Sequence, residues 1–408
     1  MSPAPRPPRG TIVVLGCLAA IGPLSGDTYL PALPQIADEF SAPAVGVQLT
    51  LTASLFGLAL GQLLMGPLSD LWGRRRLLLG GLAAYTLVSA ACAMSTSLPM
   101  LTGLRFLQGL SGAAAVVLAR AVVQDLWTGS AAARALSHVL LVFGIAPVIA
   151  PLLGSAVLGL TSWRGIFGVL SAAGAVLFVV VWARLGETLP PERRTDGGLR
   201  QLPRVLATVL KDRVFLAHAL ACGLAFGGMF AYLAGSPFVI QQLYGASATT
   251  YAVLFAVNAI GIALAGQVNA RLVVRIAPGR LLGFGLALHA AGALCLLAAV
   301  TVGRQHGLTA LLPPMFVVIA SLGLIHPNAT ALALARFPRS AGSASSVLGA
   351  LHFAIGASIS PLVGLGGADT AVPLGAVIAA TATAALLLHL CRPERPVRAA
   401  RHPAEESA

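Results

Sequence analysis

Two ionisable residues stand where an apolar chain should carry none. Asp27 lies in the apolar run at about 11–34, and Arg105 in the run at about 99–123. Such a side chain inside a lipid-spanning segment costs about 2.5–3.5 kcal/mol on insertion scales and marks an ion or substrate pathway by default. Counted from the same end of their runs, Asp27 is about eight residues in and Arg105 about six. At the helical rise these are depths of roughly 12 and 9 Å, so the two can meet, directly or through water. Burial disfavours a carboxylate and a nearby guanidinium favours it. Moving Arg105, or placing a substrate between the pair, would then decide whether Asp27 holds a proton. Asp27 and Arg105 are the candidate proton-coupling residues. The plainer alternative is a structural ion pair.

A second chemical stretch is Gly66-Pro67-Leu68-Ser69-Asp70-Leu71-Trp72-Gly73-Arg74-Arg75-Arg76, between apolar runs at about 45–69 and 77–95. It reads as a tight cytoplasmic loop, because arginines are retained on that side during insertion. Gly73 permits a sharp reversal. Asp70, at a span's end, is expected against the positive N-terminus of a neighbouring helix.

The elements that must position these groups are membrane helices. The chain has 408 residues, 57% of them hydrophobic and only 10% charged, with mean hydropathy +0.88. Soluble domains carry about 25% charged residues. Twelve apolar runs are long enough to span, at about 11–34, 45–69, 77–95, 99–123, 135–158, 165–183, 214–240, 249–270, 281–300, 309–334, 342–364 and 371–391. They lack the alternation of barrel strands, and backbone in lipid must satisfy itself, so they are helices. The net charge of +13 would suggest nucleic acid in a soluble protein. Here all 26 Lys and Arg except Arg105, Arg164 and Arg304 fall on one side when the termini are placed in the cytoplasm. That is the expected orientation. The basic start of the chain leads into a polytopic sequence and is read as an uncleaved first span. The five cysteines show no paired spacing and are read as small core residues.

The organisation expected is a cytoplasmic tail (1–10), a six-helix bundle (11–183), a cytoplasmic linker (184–213), a second six-helix bundle (214–391) and a cytoplasmic tail (392–408). The linker is rich in Arg, Pro and Gly, and the Pro/Arg tail at 1–10 is read as disordered. The halves show internal similarity. Tyr29-Leu30-Pro31 through Gln35 parallels Gly235-Ser236-Pro237 through Gln241. Gly61-Gln62 parallels Gly266-Gln267, and Ala150-Pro151-Leu152-Leu153-Gly154 parallels Ser360-Pro361-Leu362-Val363-Gly364. Three matches in the same order at slowly drifting offset predict a parallel duplication, in which substrate binds between two halves that rock about a midplane site. Gly57/Gly61 and Gly223/Gly227 put glycines four apart on one helix face, a close-packing signal. Prolines 147, 151, 237, 327 and 361 are expected to kink their spans or free a carbonyl.

The Asp70 stretch resembles the loop between the second and third spans of the major facilitator superfamily, matched at Gly66, Leu68, Asp70, Gly73, Arg74 and Arg75. Asp27-Thr28-Tyr29-Leu30-Pro31-Ala32-Leu33-Pro34 is similar to the first-span motif of twelve-span drug–proton antiporters. Arg105-Phe106-Leu107-Gln108-Gly109 matches the fourth-span motif. Ala146 through Ala150 and Pro151 to Gly154 resembles the fifth-span antiporter motif. Ala231 through Val239 is similar to the seventh span of the bicyclomycin-resistance branch, the Bcr/CflA exporters. The resemblance implies a major facilitator fold: all-α, two parallel-repeat six-helix bundles. It implies proton transfer at Arg105, a conformational latch at Gly66, Asp70, Gly73, Arg74 and Arg75, and a kink at Ala146, Ala150, Pro151 and Gly154. It also implies a substrate cavity lined by the first, fourth, seventh and tenth spans, with Tyr29, Gln108, Tyr232, Ser236, His326 and Asn328 as candidate contacts. Asn258, Gln267 and Asn269 on the eighth span are read as bonding other helices.

No phosphate-binding Gly-x4-Gly-Lys-Ser/Thr loop, no metal-binding cluster and no nucleophile elbow is present. The expectation is therefore a transporter with no cofactor beyond the proton gradient, no metal and no catalytic residues. It would be a monomer in a bacterial cytoplasmic membrane that exports drug-like molecules, with protons and lipid as its other partners and no nucleic acid. The alternatives are an importer or facilitator of a metabolite on the same fold, and a non-transporting sensor or scaffold. An enzyme is the least supported.

Overall fold

The computed structural model describes residues 10–194, 202–302, 307–337, 341–367 and 369–391. Most of the two tails, and the basic residues Arg200 and Arg304, lie outside the described residues. Among those described there is no strand, and twelve helices are long and apolar enough to cross a membrane. In chain order the spans are Thr11–Glu39, Ala44–Trp72, Arg74–Ala93, Leu98–Leu126, Gly129–Leu160, Trp163–Arg184, Arg213–Leu243, Ala248–Leu272, Pro278–Thr301, Gly307–Leu334, Ala344–Leu365 and Val372–Leu390. Each overlaps one expected run. Most extend beyond it, because a helix leaving lipid keeps its backbone bonds while its side chains turn polar.

That extension corrects the Asp70 stretch. The second and third spans are separated by Gly73 alone, with φ at 91°, so Asp70 and the three arginines sit on helix ends and not in a loop. The connecting segment likewise holds an unexpected helix, Leu202–Lys211. Leu206 and Val209 on it pack against Phe215, Ala219, Ala344 and Val347. Leu202, Leu206 and Val209 recur at helical spacing, so the signal was present in the sequence.

The duplication is visible where the two halves break their helices. The first span loosens after Asp27 into a short 3-10 turn at Leu30–Ala32, and the seventh passes from Pro237 into a π-turn at Phe238–Leu243. Pro31 and Pro237 each withdraw one N–H from the ladder. Pro361 lies in a 3-10 stretch, Ser360–Gly366, whereas Pro147 and Pro151 sit inside a continuous helix. The glycine pairs do bring helices together. A Cβ at Gly57 would overlap the Phe106 carbonyl oxygen, and one at Gly61 the Ala113 methyl; Gly223 and Gly227 face Ile355 and Ile359.

Across the halves, the second span packs on the eleventh and the fifth on the eighth. The core is continuous at one end only. There, Tyr29, Leu33, Leu51, Trp163 and Phe167 join Phe230, Tyr232, Phe238 and Tyr251 in a single buried cluster. Towards the Asp70 end it divides into a first-half cluster around Leu18, Leu82 and Leu118 and second-half clusters around Leu286 and Phe215. The cross-half hydrogen bonds follow the same pattern. Gln48 donates to the Ala234 carbonyl (3.1 Å), Gln241 to the Pro31 carbonyl (3.3 Å) and Gln242 to Asp38 (3.5 Å). At this closed end Glu39 accepts from the Trp163 indole (2.6 Å) and pairs with Arg164, which explains one of the three basic residues outside the charge pattern.

Candidate functional site

Arg105 is fully buried and held within the first half. Its Nη1 donates to the Ser25 carbonyl (3.2 Å) and to Gln108 Oε1 (2.5 Å). The guanidinium lies 4.6 Å over the Tyr29 ring and 5.7 Å from that of Phe167, so two aromatic faces offset part of its lost hydration. Gln108 is fixed in turn by donating to Ser89 (2.7 Å), and Tyr29 by its hydroxyl at Thr50 (2.8 Å). Ser25 meets the Tyr85 hydroxyl at 2.5 Å. Nε and Nη2 of Arg105 remain buried with no hydrogen-bond partner.

Asp27 does not pair with Arg105. It is 7% exposed and has no hydrogen bond or ion pair among the described residues. It lies near enough to Tyr232 and Tyr251, both in the second half, for a charge placed on it to be felt by their hydroxyls. Helix geometry supplies the reason. Ser25 and Tyr29 are four apart and share the face that meets Arg105, whereas Asp27, two residues on, points to nearly the opposite side. Equal depth brought the pair level but did not turn them towards each other. Close behind Asp27, a Cβ at Gly154 would overlap the Thr28 carbonyl oxygen. The fifth-span motif therefore packs its glycine against the backbone next to the buried acid. Ala146, Ala150 and Pro151 of the same motif are in that helix, with Ala146 and Ala150 buried.

At the Asp70 end, Asp70 pairs across Gly73 with Arg74 at the start of the third span (2.6 Å) and accepts from no helix N-terminus among the described residues. Arg74 also bonds Asp125 at the end of the fourth span (3.1 Å) and the Ser69 hydroxyl, which in turn donates to the Gly66 carbonyl (2.7 Å). Arg75 donates to the carbonyls of Leu185 (2.9 Å) and Trp182 (2.8 Å) at the end of the sixth span. Glu187 caps the third span, accepting from the Arg74 N–H (2.9 Å) and the Arg75 N–H (3.3 Å). Gly73 has no room for a side chain there, since a Cβ would run into the Glu187 carboxylate.

The remaining expected cavity residues fall in three settings. Tyr232 is stacked on Phe255, with ring centroids 5.7 Å apart, and accepts from Asn258 (2.9 Å); Ser236 reaches the Tyr251 hydroxyl (3.5 Å). Tyr232 and Ser236 are both buried. Asn328 is buried and bonds Asn269 (2.5 Å), tying the tenth span to the eighth. His326 is exposed although its ring sits among Phe226 and His352, so it borders the opening between the halves.

The sequence profile of the Major Facilitator Superfamily matches residues 15–361. The chain belongs to the major facilitator superfamily. It is 39% identical over 372 residues to an uncharacterized MFS-type transporter, YdgK, of Bacillus subtilis, covering 90% of this chain and 92% of that protein. It is 32% identical to a bicyclomycin resistance protein homolog of Haemophilus influenzae, over 89% of this chain and 91% of that protein. Among solved structures, an inward-facing, unoccupied bacterial homolog of the human lysosomal transporter Spinster superposes with a TM-score of 0.70 at 17% identity. It covers 93% of this chain and 94% of that one. The chain is therefore a multi-pass membrane transporter of this superfamily, not an enzyme.

Within this major facilitator chain, the residues that hold the site were mostly missed. Gln48, Thr50 and Ser89 stood as polar interruptions in apolar runs and were open to notice. Glu187 gave no signal, because a lone acid after a span resembles any linker residue until the fold brings it to the third-span N-terminus.

Proposed function

We propose that this transporter exports drug-like small molecules across a bacterial cytoplasmic membrane in exchange for protons. The observation that carries the proposal is the setting of Asp27: a buried acid without a cation, at the seam between the halves. Burying a carboxylate without a partner is costly, and a bound proton removes the charge. Nε and Nη2 of Arg105 are donors without a partner, which a polar substrate group beside the guanidinium would satisfy. Proton and substrate would thus compete for, or act on, one place. A proton crossing the membrane yields about 2.3 kcal/mol per 100 mV, enough to drive a moderate gradient of drug.

The charge pattern favours the Asp70 end, and both termini, facing the cytoplasm. The continuous core and cross-half bonds at the Glu39 end then correspond to a closed outer side. The second half would rock about this seam to alternate access. Asp70, Arg74 and Arg75 act as the latch, exchanging the present Asp70–Arg74 pair for contacts with the second half when the cytoplasmic side closes. The protein works as a monomer, since each chain holds both halves.

The test is accumulation of a labelled panel, including bicyclomycin and an amphenicol, in an efflux-deficient bacterium expressing the wild type or Asp27→Asn. Lowered accumulation should disappear both with a protonophore and with Asp27→Asn at equal membrane expression. Protonophore-insensitive export, or export by the Asn form at the wild-type rate, would overturn the proposal.

A further inference from the structure

Four side chains near the opening are not used by the mechanism above. Phe226, His326 and His352 come from the seventh, tenth and eleventh spans, and Arg120 from the fourth. Arg120, His326 and His352 lie about six to eight residues from the Asp70 ends of their spans, which is roughly 9–12 Å. Asp27 lies deeper, about sixteen residues from that end. The Phe226 ring stacks on His352 (5.3 Å, 13°) and tilts against His326 (5.2 Å), and the two imidazoles meet edge to face at 6.0 Å.

Arg120 belongs to the other half and is exposed. Its charge is near enough to act on His326. It has no ion pair or hydrogen bond among the described residues. The other charged residue at this end of the fourth span, Asp125, is already held by Arg74 and Thr188 (3.1 Å each). His352 is 5% exposed, and its Nε2 is buried with no hydrogen-bond partner. An unpaired guanidinium at membrane depth is costly, and so is an unsatisfied ring nitrogen. An aromatic face, two imidazoles and a free guanidinium form a cage for a flat ring carrying a negative charge. Arg supplies the fork that matches a carboxylate, and the stacked rings supply the platform.

We propose that Arg120, His326, His352 and Phe226 form an entry subsite for aromatic organic acids, binding the carboxylate between the two halves before the substrate reaches Asp27. This rests on the export reading above for its purpose, but its binding chemistry can be tested alone.

The experiment compares 1-naphthoate with the isosteric neutral 1-naphthamide. Both are titrated by calorimetry into the purified full-length protein in detergent. Naphthoate should bind tighter by about tenfold or more, the size of one charged hydrogen bond. Arg120→Gln should bring the ratio to about one. Arg120→Lys, which keeps the charge, should retain part of it, and His352→Gln should weaken naphthoate severalfold while leaving naphthamide unchanged. A ratio near one in the wild type, or a ratio unmoved by Arg120→Gln, overturns the subsite. Protonophore-sensitive chloramphenicol uptake into proteoliposomes of the same preparation reads the efflux proposal separately. Uptake without acid preference removes only the subsite, and acid preference without uptake removes only the efflux proposal.

Discussion

Gly109→Ala should open the tightest helix crossing in the first half. A Cβ at Gly109 would overlap the Ser54 carbonyl oxygen and come within 3.0 Å of the Leu58 nitrogen. The reciprocal position, Gly57, meets the Phe106 carbonyl oxygen and the Leu110 nitrogen (2.9 Å). The second and fourth spans therefore touch backbone to backbone. A side chain could rotate away from an added methyl, but a helical carbonyl cannot, so the helices must separate. Overpacking costs typically 1–3 kcal/mol, and the absence of a yielding neighbour puts this case near 3 kcal/mol. At about 2–4 °C per kcal/mol for a unit of this size, melting should fall by roughly 6–12 °C. The assay is intrinsic fluorescence of the four tryptophans during heating in detergent. Gly57→Ala should behave alike. Both methyls wedge the same crossing, so the double variant should fall short of the sum by about 1 kcal/mol or more. A shift under about 2 °C, or strict additivity, would refute direct backbone contact. Because Gln108 adjoins Gly109 and holds Arg105, export should decline along with stability.

Two further outcomes follow from the site and its scaffold. Arg105→Lys should abolish export while leaving the protein folded, because an ammonium lacks the planar face that lies over Tyr29 and the fork that reaches Ser25 and Gln108; wild-type export by the Lys form would refute this. Asp212→Ala should lose about 1 kcal/mol, since Asp212 caps the seventh span at the Phe215 N–H (2.8 Å) and pairs with Arg336 (3.0 Å). Burial pushes the Asp212 carboxyl up, but the Phe215 N–H and the Arg336 guanidinium outweigh it and hold it below its ordinary 3.8. Its contribution is therefore complete above that value and is lost as pH falls through the depressed one. The melting difference between wild type and variant should be constant near neutrality and shrink only in strong acid.

The spans were legible because roughly twenty apolar residues in a row admit one structure in lipid. Asp27 and Arg105 were legible because their charge is expensive there. What the sequence withheld was azimuth. Rise along a helix is fixed, so depth can be counted, but the direction in which a residue faces depends on how its helix is rotated by its neighbours. Asp27 and Arg105 are at matching depth, yet Ser25 and Tyr29 take the guanidinium. Asn328 shows the same limit. Its span lines the opening, but the residue turns to Asn269 on the eighth span. Glu187 was hidden differently, since its partners, the N–H groups of Arg74 and Arg75, are more than a hundred positions away.

The first span links these observations. Through Ser25 and Tyr29 it is fixed to Arg105 and the first half; through Asp27 it faces the tyrosines of the second. If the halves move as bodies, the surroundings of Arg105 travel with it unchanged, because every contact it makes lies within the first half. The surroundings of Asp27 cannot, since Tyr232 and Tyr251 move away. The cost of a charge on Asp27 is then tied to the relation between the halves, while the cost at Arg105 is not. A protonation equilibrium can bias a conformational one only where the two states differ in their affinity for the proton. By that criterion we propose Asp27 as the coupling group, with Arg105 as the fixed charge against which it is read.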